Sequence, residues 1–169
     1  GGGTNGYSGN KTVNLQLGPP PPAMELWKED FEYGAGDNMF NHWALEGNWG
    51  PVSSPVHSAT QAAYNGSGVY NNWKAMTMTD TVDVSQFPEA TLVWWQQYNW
   101  HEAVFSQADV LINSPGGWDT IWQYNFVEYP NPLNTYSQVS VPLGAYASSP
   151  IQLKYTYRVE PFFCDFGHW

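Results

Sequence analysis

Residues that could carry catalysis are few and scattered in this sequence. His101 and Glu102 match the start of the His-Glu-x-x-His zinc motif, but Phe105 stands where the second histidine is required. Ser67 lies in Asn-Gly-Ser-Gly, which is not the Gly-x-Ser-x-Gly turn of a nucleophile elbow. The histidines do not have metal-ligand spacing; they are His42, His57, His101 and His168. No carboxylate pair is singled out for glycoside hydrolysis, so we expect a protein that is not an enzyme.

Aromatic and amide side chains are the stronger chemical signal. The chain has 10 Trp and 11 Tyr among 169 residues, which is more than one small core commonly needs. Exposed rings can stack on sugar faces, while amide groups bind sugar hydroxyls. For any single tryptophan, a place in the core is the alternative. The candidates for glycan binding are Trp95, Gln97, Asn99, Trp100, Trp118 and Trp122.

Two short sequons could accept N-linked glycans. They are Asn10-Lys-Thr12 and Asn65-Gly-Ser67. Such short patterns also arise by chance. If used, Asn10 and Asn65 would lie on an extracellular surface.

The stretch Ala90–Trp100 is the strand around which the rest of the chain must be organised. Leu92, Trp94, Gln96, Tyr98 and Trp100 share one face of this strand; Val93, Trp95, Gln97 and Asn99 share the other. A strand with this many large aromatics belongs in the middle of a sheet, with a second layer over its apolar face.

The rest of the chain predicts further short strands and many turns. Gly and Pro, 16 and 13 residues, are spaced along the sequence, and no helical periodicity extends beyond about two turns. Ser114–Gly117 predicts a hairpin turn. The predicted strands are Leu26–Tyr33, Val69–Met78, Thr79–Val84, Ser106–Asn113, Trp118–Glu128, Thr135–Val141 and Ile151–Val159.

Charge and cysteine content narrow the range of partners. The net charge of −10 argues against nucleic acid, because phosphate binding needs clustered Lys and Arg. An acidic surface suits solubility, divalent cations, or neutral and cationic ligands. No stretch approaches 18 apolar residues, so we expect no membrane insertion. The single cysteine, Cys164, excludes an intrachain disulfide.

Residues 1–22 differ in composition from the β-rich domain expected at 23–169. A Gly-rich arm leads into the alternating strand Lys11–Leu17, which presents Val13, Leu15 and Leu17 on one face. The four prolines Pro19–Pro22 then form a stiff spacer of roughly 12 Å, which prevents a tight return of the strand. The opening Gly-Gly-Gly indicates a mature or excised segment with a leader outside this sequence.

Four stretches together resemble a known family. They are Glu29–Tyr33 (EDFEY), VDVSQFPEATLVWWQQY within Asp80–Tyr98, Asp109–Trp122 (DVLINSPGGWDTIW) and Tyr136–Tyr157. Their order resembles the MAM-like β-sandwich domains that accompany immune-inhibitor-A-type secreted peptidases and bacterial surface adhesins. The resemblance spans about Glu25–Trp169. It implies an all-β, two-sheet antiparallel sandwich (jelly roll) that is secreted or at the cell surface.

One departure from this family suggests self-assembly. The family continues from a Gly-x-Trp segment into a last strand, whereas here the sequence stops at Gly167-His168-Trp169. A sandwich without that strand would expose backbone groups and an apolar groove. The arm strand, through Val13, Leu15 and Leu17, could fill this groove in a neighbouring copy and build a head-to-tail filament. The alternative is a linker from a preceding domain, with the missing strand a boundary of the segment.

The same resemblance implies one cofactor, a structural calcium ion. Relatives hold it between the first-strand Glu, matched by Glu32, and an acidic pair that this sequence lacks. Asp30, Glu32 and Asp37 are the candidate oxygen ligands. Solvated turn acids are the alternative interpretation of the same residues.

These observations leave two functional hypotheses. The first is a non-catalytic extracellular subunit that assembles with copies of itself into a filament or matrix by exchange of its N-terminal strand. The second is a carbohydrate-binding or adhesive module of a larger secreted protein, whose partners are glycans.

Overall fold

The computed structural model of the chain describes residues 23–57, 60–65, 73–99, 106–125, 135–159 and 166–168. Residues 1–22 lie outside this range, and with them the predicted donor strand of Val13, Leu15 and Leu17 and the sequon at Asn10. Trp100 lies outside it as well.

Two antiparallel sheets make up the described structure. The strands are β1 Trp43–Glu46, β2 Trp49–Val52, β3 Ala62–Asn65, β4 Trp73–Met78, β5 Val82–Asp83, β6 Thr91–Asn99, β7 Ser106–Ser114, β8 Gly117–Asn125, β9 Ser137–Pro142, β10 Pro150–Val159 and β11 Phe166–His168. Helical structure is limited, in the described residues, to α1 (Met39–His42) and a 3₁₀ turn at Gly144–Tyr146.

The strand order defines a first and a second sheet. The first sheet runs β1-β4-β10-β7-β8, with β5 paired to the end of β10. The second sheet runs β2-β3-β11-β6-β9. Neighbouring strands far apart in sequence, such as β4 and β10, pair through long crossovers, as in a sandwich of sheets. The predicted all-β sandwich is therefore confirmed.

Strand β6 has the alternation that its sequence predicts. Leu92, Trp94 and Gln96 are buried, whereas Val93 and Trp95 on the other face are 48% and 39% exposed. The indole Nε1 of Trp94 donates to Oε1 of Gln96 at 2.9 Å, so the polar atoms of this inner face satisfy each other. Strand β6 is interior to the second sheet, between β11 and β9, as we expected.

Inward-facing residues of both sheets form one core. Ala108, Val110 and Ile112 of β7 are completely buried, as the alternation predicts. The core continues through Met76 of β4 and Leu153 of β10. Five predicted strands, around residues 90–100, 106–113, 118–128, 135–141 and 151–159, are confirmed to within a few residues of their described ends.

The first predicted strand, Leu26–Tyr33, is wrong. This opening segment forms no strand, because its own carboxylates bond its backbone: Glu29 accepts from the N–H of Phe31 at 2.7 Å, and Asp30 from that of Glu32 at 3.1 Å. Such local bonds compete with a sheet ladder. Phe31 also has φ of 58°, a conformation that a regular strand excludes.

The C-terminal segment also differs from its expected role. Phe166–His168 does form a strand, β11, which lies between β3 and β6. The second sheet therefore contains a strand where we expected none, although it is only three residues long. Of the predicted strand Thr79–Val84, only Val82–Asp83 pairs.

Because a tyrosine is buried in this core, we expect the free energy of unfolding to fall at high pH. Burial, together with the charge of Glu29, raises the pKa of Tyr155 above its usual value of about 10. Because the folded state favours the neutral phenol, this contribution is complete below pH ~10 and is lost as the pH rises further. Urea titrations between pH 8 and 11 should therefore show a falling free energy of unfolding. In Tyr155→Phe the fall above pH 10 should be shallower, by up to about 1.4 kcal/mol per pH unit; equal slopes would contradict this assignment.

Candidate functional site

The outward face of the first sheet carries a polar network centred on Asp109. Its carboxylate accepts from Nε2 of Gln107 at 2.9 and 3.0 Å and from Nε2 of Gln123 at 2.9 Å. Oγ1 of Thr156 donates to it at 3.4 Å. Asp109 is only 5% exposed, so these donors replace the water that its charge has lost.

Strand register places these side chains together. Thr156 and Gln123 are the cross-strand partners of Asp109 on β10 and β8, and Gln107 lies two residues along β7 on the same face. Each glutamine uses its amide nitrogen on Asp109. The carbonyl oxygen of each is then the group that it can offer to a ligand.

A β-bulge in the hairpin decides which residues of β8 share this face. The register shifts between Val110 and Leu111 of β7, so that three residues of β8 span two residues of its partner. Trp118 and Gln123, which strict alternation would place on opposite faces, therefore both point outward. Trp122 instead points inward, where its ring meets that of Trp94 edge-on, with centroids 5.6 Å apart.

Tryptophan rings lie at both ends of the polar network. Trp73 of β4 is 45% exposed, and the guanidinium carbon of Arg158 lies 5.6 Å from its ring centre. At the other end, Nζ of Lys154 lies 4.2 Å above the half-buried ring of Trp118. From strand rise and spacing, the two rings are separated by roughly 25 Å along a diagonal of the sheet.

This arrangement presents several polar groups that could contact a bound ligand. It offers amide and hydroxyl groups on an open sheet, with an aromatic ring at each end. Asp109 is the one carboxylate in the network that the described residues form, whereas glycoside hydrolysis uses a pair. An elongated, hydroxyl-rich molecule lying across the strands would match these groups.

The residues predicted for glycan binding do not form one cluster. Trp118 lies on the outward face of the first sheet, while Trp95 and Gln97 lie on that of the second sheet, on the opposite side of the molecule. Trp122 faces the core. Asn99 ends β6 but its side chain is not described, and Trp100 is outside the described residues.

Sequence reasoning missed most of the network. None of its members, Trp73, Gln107, Asp109, Gln123 and Thr156, is among the residues that the sequence singles out for binding. In the sequence, the polar members have one feature in common: on each of three strands, they lie on the face opposite the buried apolar side chains. That signal becomes a site only when the strand pairing is known.

Trp95 belongs to a second aromatic group. His57 stacks on its ring, with centroids 3.8 Å apart and an interplanar angle of 16°, and Tyr136 meets His57 edge-on. The hydroxyl of Tyr136 donates to the carbonyl of Pro55 at 3.0 Å, which holds the loop carrying His57 against β9. All three side chains also line a cavity of about 670 Å³ beside β6.

The three candidate calcium ligands are each occupied by protein groups. Asp30 pairs with Lys28 at 2.9 Å, Glu32 accepts from Thr60 and the N–H of Gln61, and Asp37 bonds His42 at 2.8 Å. These hydrogen bonds hold the pKa of each carboxyl below its usual value. No group of three or more metal-ligating side chains exists among the described residues. The calcium site therefore remains a prediction, and the described residues do not bring its candidate ligands together.

The sequon residue Asn65 is completely buried in β3, between β2 and β11. A glycan attached there would have to displace this packing. No helix in the described ranges has the length and apolar character needed to cross a membrane.

Comparisons with known proteins identify the fold but no family. No family model and no curated protein matches the chain. A family 61 carbohydrate-binding module, solved in complex with β-1,4-galactotriose, superposes with a TM-score of 0.50 at 11% identity, over 76% of this chain and 84% of that one. A family 22 xylan-binding domain gives 0.45 at 13% identity, over 88% and 92% of the two chains. At this identity the first match shows a shared β-sandwich fold. The MAM-like resemblance stays a prediction, although the fold that it implies is the one observed.

Proposed function

We propose that this protein is a non-catalytic carbohydrate-binding module of a secreted or cell-surface protein. In this proposal a glycan chain lies across the outward face of the first sheet. The observation that carries the proposal is the Asp109 network, flanked by Trp73 at one end and Trp118 at the other.

The chemistry of this face fits a sugar. The carbonyl oxygens of Gln107 and Gln123 can accept hydrogen bonds from hydroxyl groups, and Asp109 holds both amides in place. The exposed ring of Trp73 can cover the apolar face of a pyranose. Asp109 is a positioning residue, since at 5% exposure it has little surface left for a ligand.

Charge favours a neutral glycan. The net charge of −10 repels anionic polysaccharides that approach within about one Debye length, roughly 8–10 Å at physiological ionic strength. The two cationic side chains on this face, Lys154 and Arg158, each lie over a tryptophan ring. The ligands named for the structural neighbours, a β-1,4-galactotriose and xylan, are both chains of sugars and supply the first probes.

Affinity electrophoresis and calorimetry of the full chain with β-1,4-galactan and xylan test this proposal, with a glycan array for other sugars. We expect retention by a neutral polysaccharide, lost in Gln123→Ala while the near-ultraviolet circular dichroism at the assay temperature stays native. Gln138→Ala is the matched control, because Gln138 is an exposed strand glutamine on the second sheet. Absence of binding to any glycan, or equal loss in both variants, would overturn the proposal.

The filament hypothesis remains open as a second function. Its donor residues Val13, Leu15 and Leu17 lie outside the described structure. One observation favours it: among the described residues, the second sheet has an opening of about the size of a strand beside Thr91–Trp95 of β6.

A further inference from the structure

The second sheet is incomplete between β3 and β6. Strand β11 pairs with Gln97–Asn99 of β6 and with Tyr64–Asn65 of β3. Strand β9 covers the other edge of β6 along Thr91–Gln96. Among the described residues, no strand pairs with Thr91–Trp95 on the edge that faces away from β9.

A cavity of about 670 Å³ occupies this position. It is lined by inward-facing residues of β6, such as Leu92 and Trp94, and also by the outward-facing Val93 and Trp95. The cavity is thus an opening in the second sheet, along the edge of β6 that no described strand covers. Ala23–Phe31, at the start of the described chain, also lines this opening.

The residues that line this opening would fit an extended peptide with one apolar and one polar face. Its floor is the inner face of the first sheet, including Met76, Leu153 and Tyr155, and Ala62 borders it from β3. The edge of β6 that no described strand pairs offers backbone N–H and C=O groups over five residues, roughly 17 Å. A strand with apolar residues at every second position would hydrogen-bond to the backbone of β6 and pack its apolar side chains on the floor.

We propose that Lys11–Leu17 of a second copy of this chain fills the opening as a strand beside β6. Val13, Leu15 and Leu17 then face the apolar floor, and Thr12, Asn14 and Gln16 face solvent. The side chains of Val13, Leu15 and Leu17 would be buried against this floor, and their burial would stabilise the docked strand.

The position of the arm supports an exchange between copies. Residues 1–22 lie outside the described structure, and the chain enters it at Ala23, which itself lines the opening. The sequence predicts a stiff spacer of roughly 12 Å at Pro19–Pro22, between Lys11–Leu17 and this entry point. Such a spacer would favour the opening of a neighbouring copy over a tight return to the opening of the same copy.

Photo-crosslinking of the full chain tests the occupant and its source. A benzophenone amino acid replaces Leu15, and isotopically light and heavy chains are mixed before irradiation. We expect heavy–light crosslinks to the peptides of the apolar floor, which contain Met76 and Leu153. The same probe at Asn14, one residue away on the solvent side, should give at least fivefold fewer of them. Crosslinks confined to the same chain, crosslinks to other surfaces, or none would each overturn the proposal.

A matched pair of substitutions provides an independent readout. We expect light scattering to detect oligomers of the native chain. Leu15→Asp should abolish them, while Asn14→Asp, which adds the same charge, should keep them. Both variants should retain the native near-ultraviolet circular dichroism and glycan binding, because the glycan face is on the opposite sheet. A native chain that is monomeric at all concentrations would overturn the proposal, as would loss of oligomers in both variants.

Discussion

Replacing Trp73 by alanine is expected to weaken glycan affinity at least tenfold. Its ring is 45% exposed at one end of the polar network, and no other described aromatic lies at that end of the face. Truncation of a central aromatic anchor typically costs about 2 kcal/mol of binding free energy, and 1.4 kcal/mol is a factor of ten. Calorimetry with the best oligosaccharide from the binding screen measures the effect.

Two variants separate ring stacking from general damage. Phe40→Ala removes an even more exposed aromatic, at 66%, from helix α1, and should leave affinity unchanged. Trp73→Phe keeps an aromatic ring and should retain part of the affinity. Native affinity in Trp73→Ala would place the glycan elsewhere, with the group of Trp95, His57 and Tyr136 as the next surface to test.

Replacing Glu29 by alanine is expected to lower the free energy of unfolding by about 3 kcal/mol. The Glu29 carboxylate accepts from Nε1 of Trp43 at 2.8 Å and from the hydroxyl of Tyr33 at 3.1 Å, besides the N–H of Phe31. Trp43 is 2% exposed, so its indole N–H would lose its partner far from solvent. A buried donor without an acceptor costs about 1–3 kcal/mol.

Urea denaturation followed by tryptophan fluorescence measures this loss, which corresponds to a fall in melting temperature of roughly 6–12 °C. Glu25→Ala is the control, because Glu25 is an exposed carboxylate in the same segment. Glu29→Gln should lie between the two, since the amide keeps one acceptor. A loss below about 1 kcal/mol in Glu29→Ala would show that the opening segment detaches without disturbing Trp43.

The outcome for the opening segment shows why local pattern misled the strand prediction. Leu26–Tyr33 contains three aromatic residues and is followed by Gly34 and Gly36, which is typical of a strand that ends in a turn. In the fold, the acids turn back onto their own backbone and onto Trp43 and Thr60, and the segment acts as a strap between elements. Local composition cannot distinguish a strand from such a strap, because the partners of the acids lie up to 29 residues away in sequence.

The functional face shows a second limit of sequence patterns. Trp118 and Trp122 are four residues apart on one predicted strand, so period-two alternation assigns them to the same face. The bulge in β8 separates them, with Trp118 on the outward face and Trp122 in the core. A bulge is a property of the paired hairpin, and it has no marker within β8 itself.

The sequence by itself determined the class of the fold, the central strand β6 with its buried Leu92 and Trp94, and the hairpin between β7 and β8. These features depend on apolar alternation and turn residues, which act over a few neighbouring positions. Only the tertiary structure decided that Asp109, Gln107, Gln123 and Thr156 meet on one face, and that an opening remains beside Thr91–Trp95. Both depend on which strands become neighbours and in which register, and this is set by packing between residues distant in the chain.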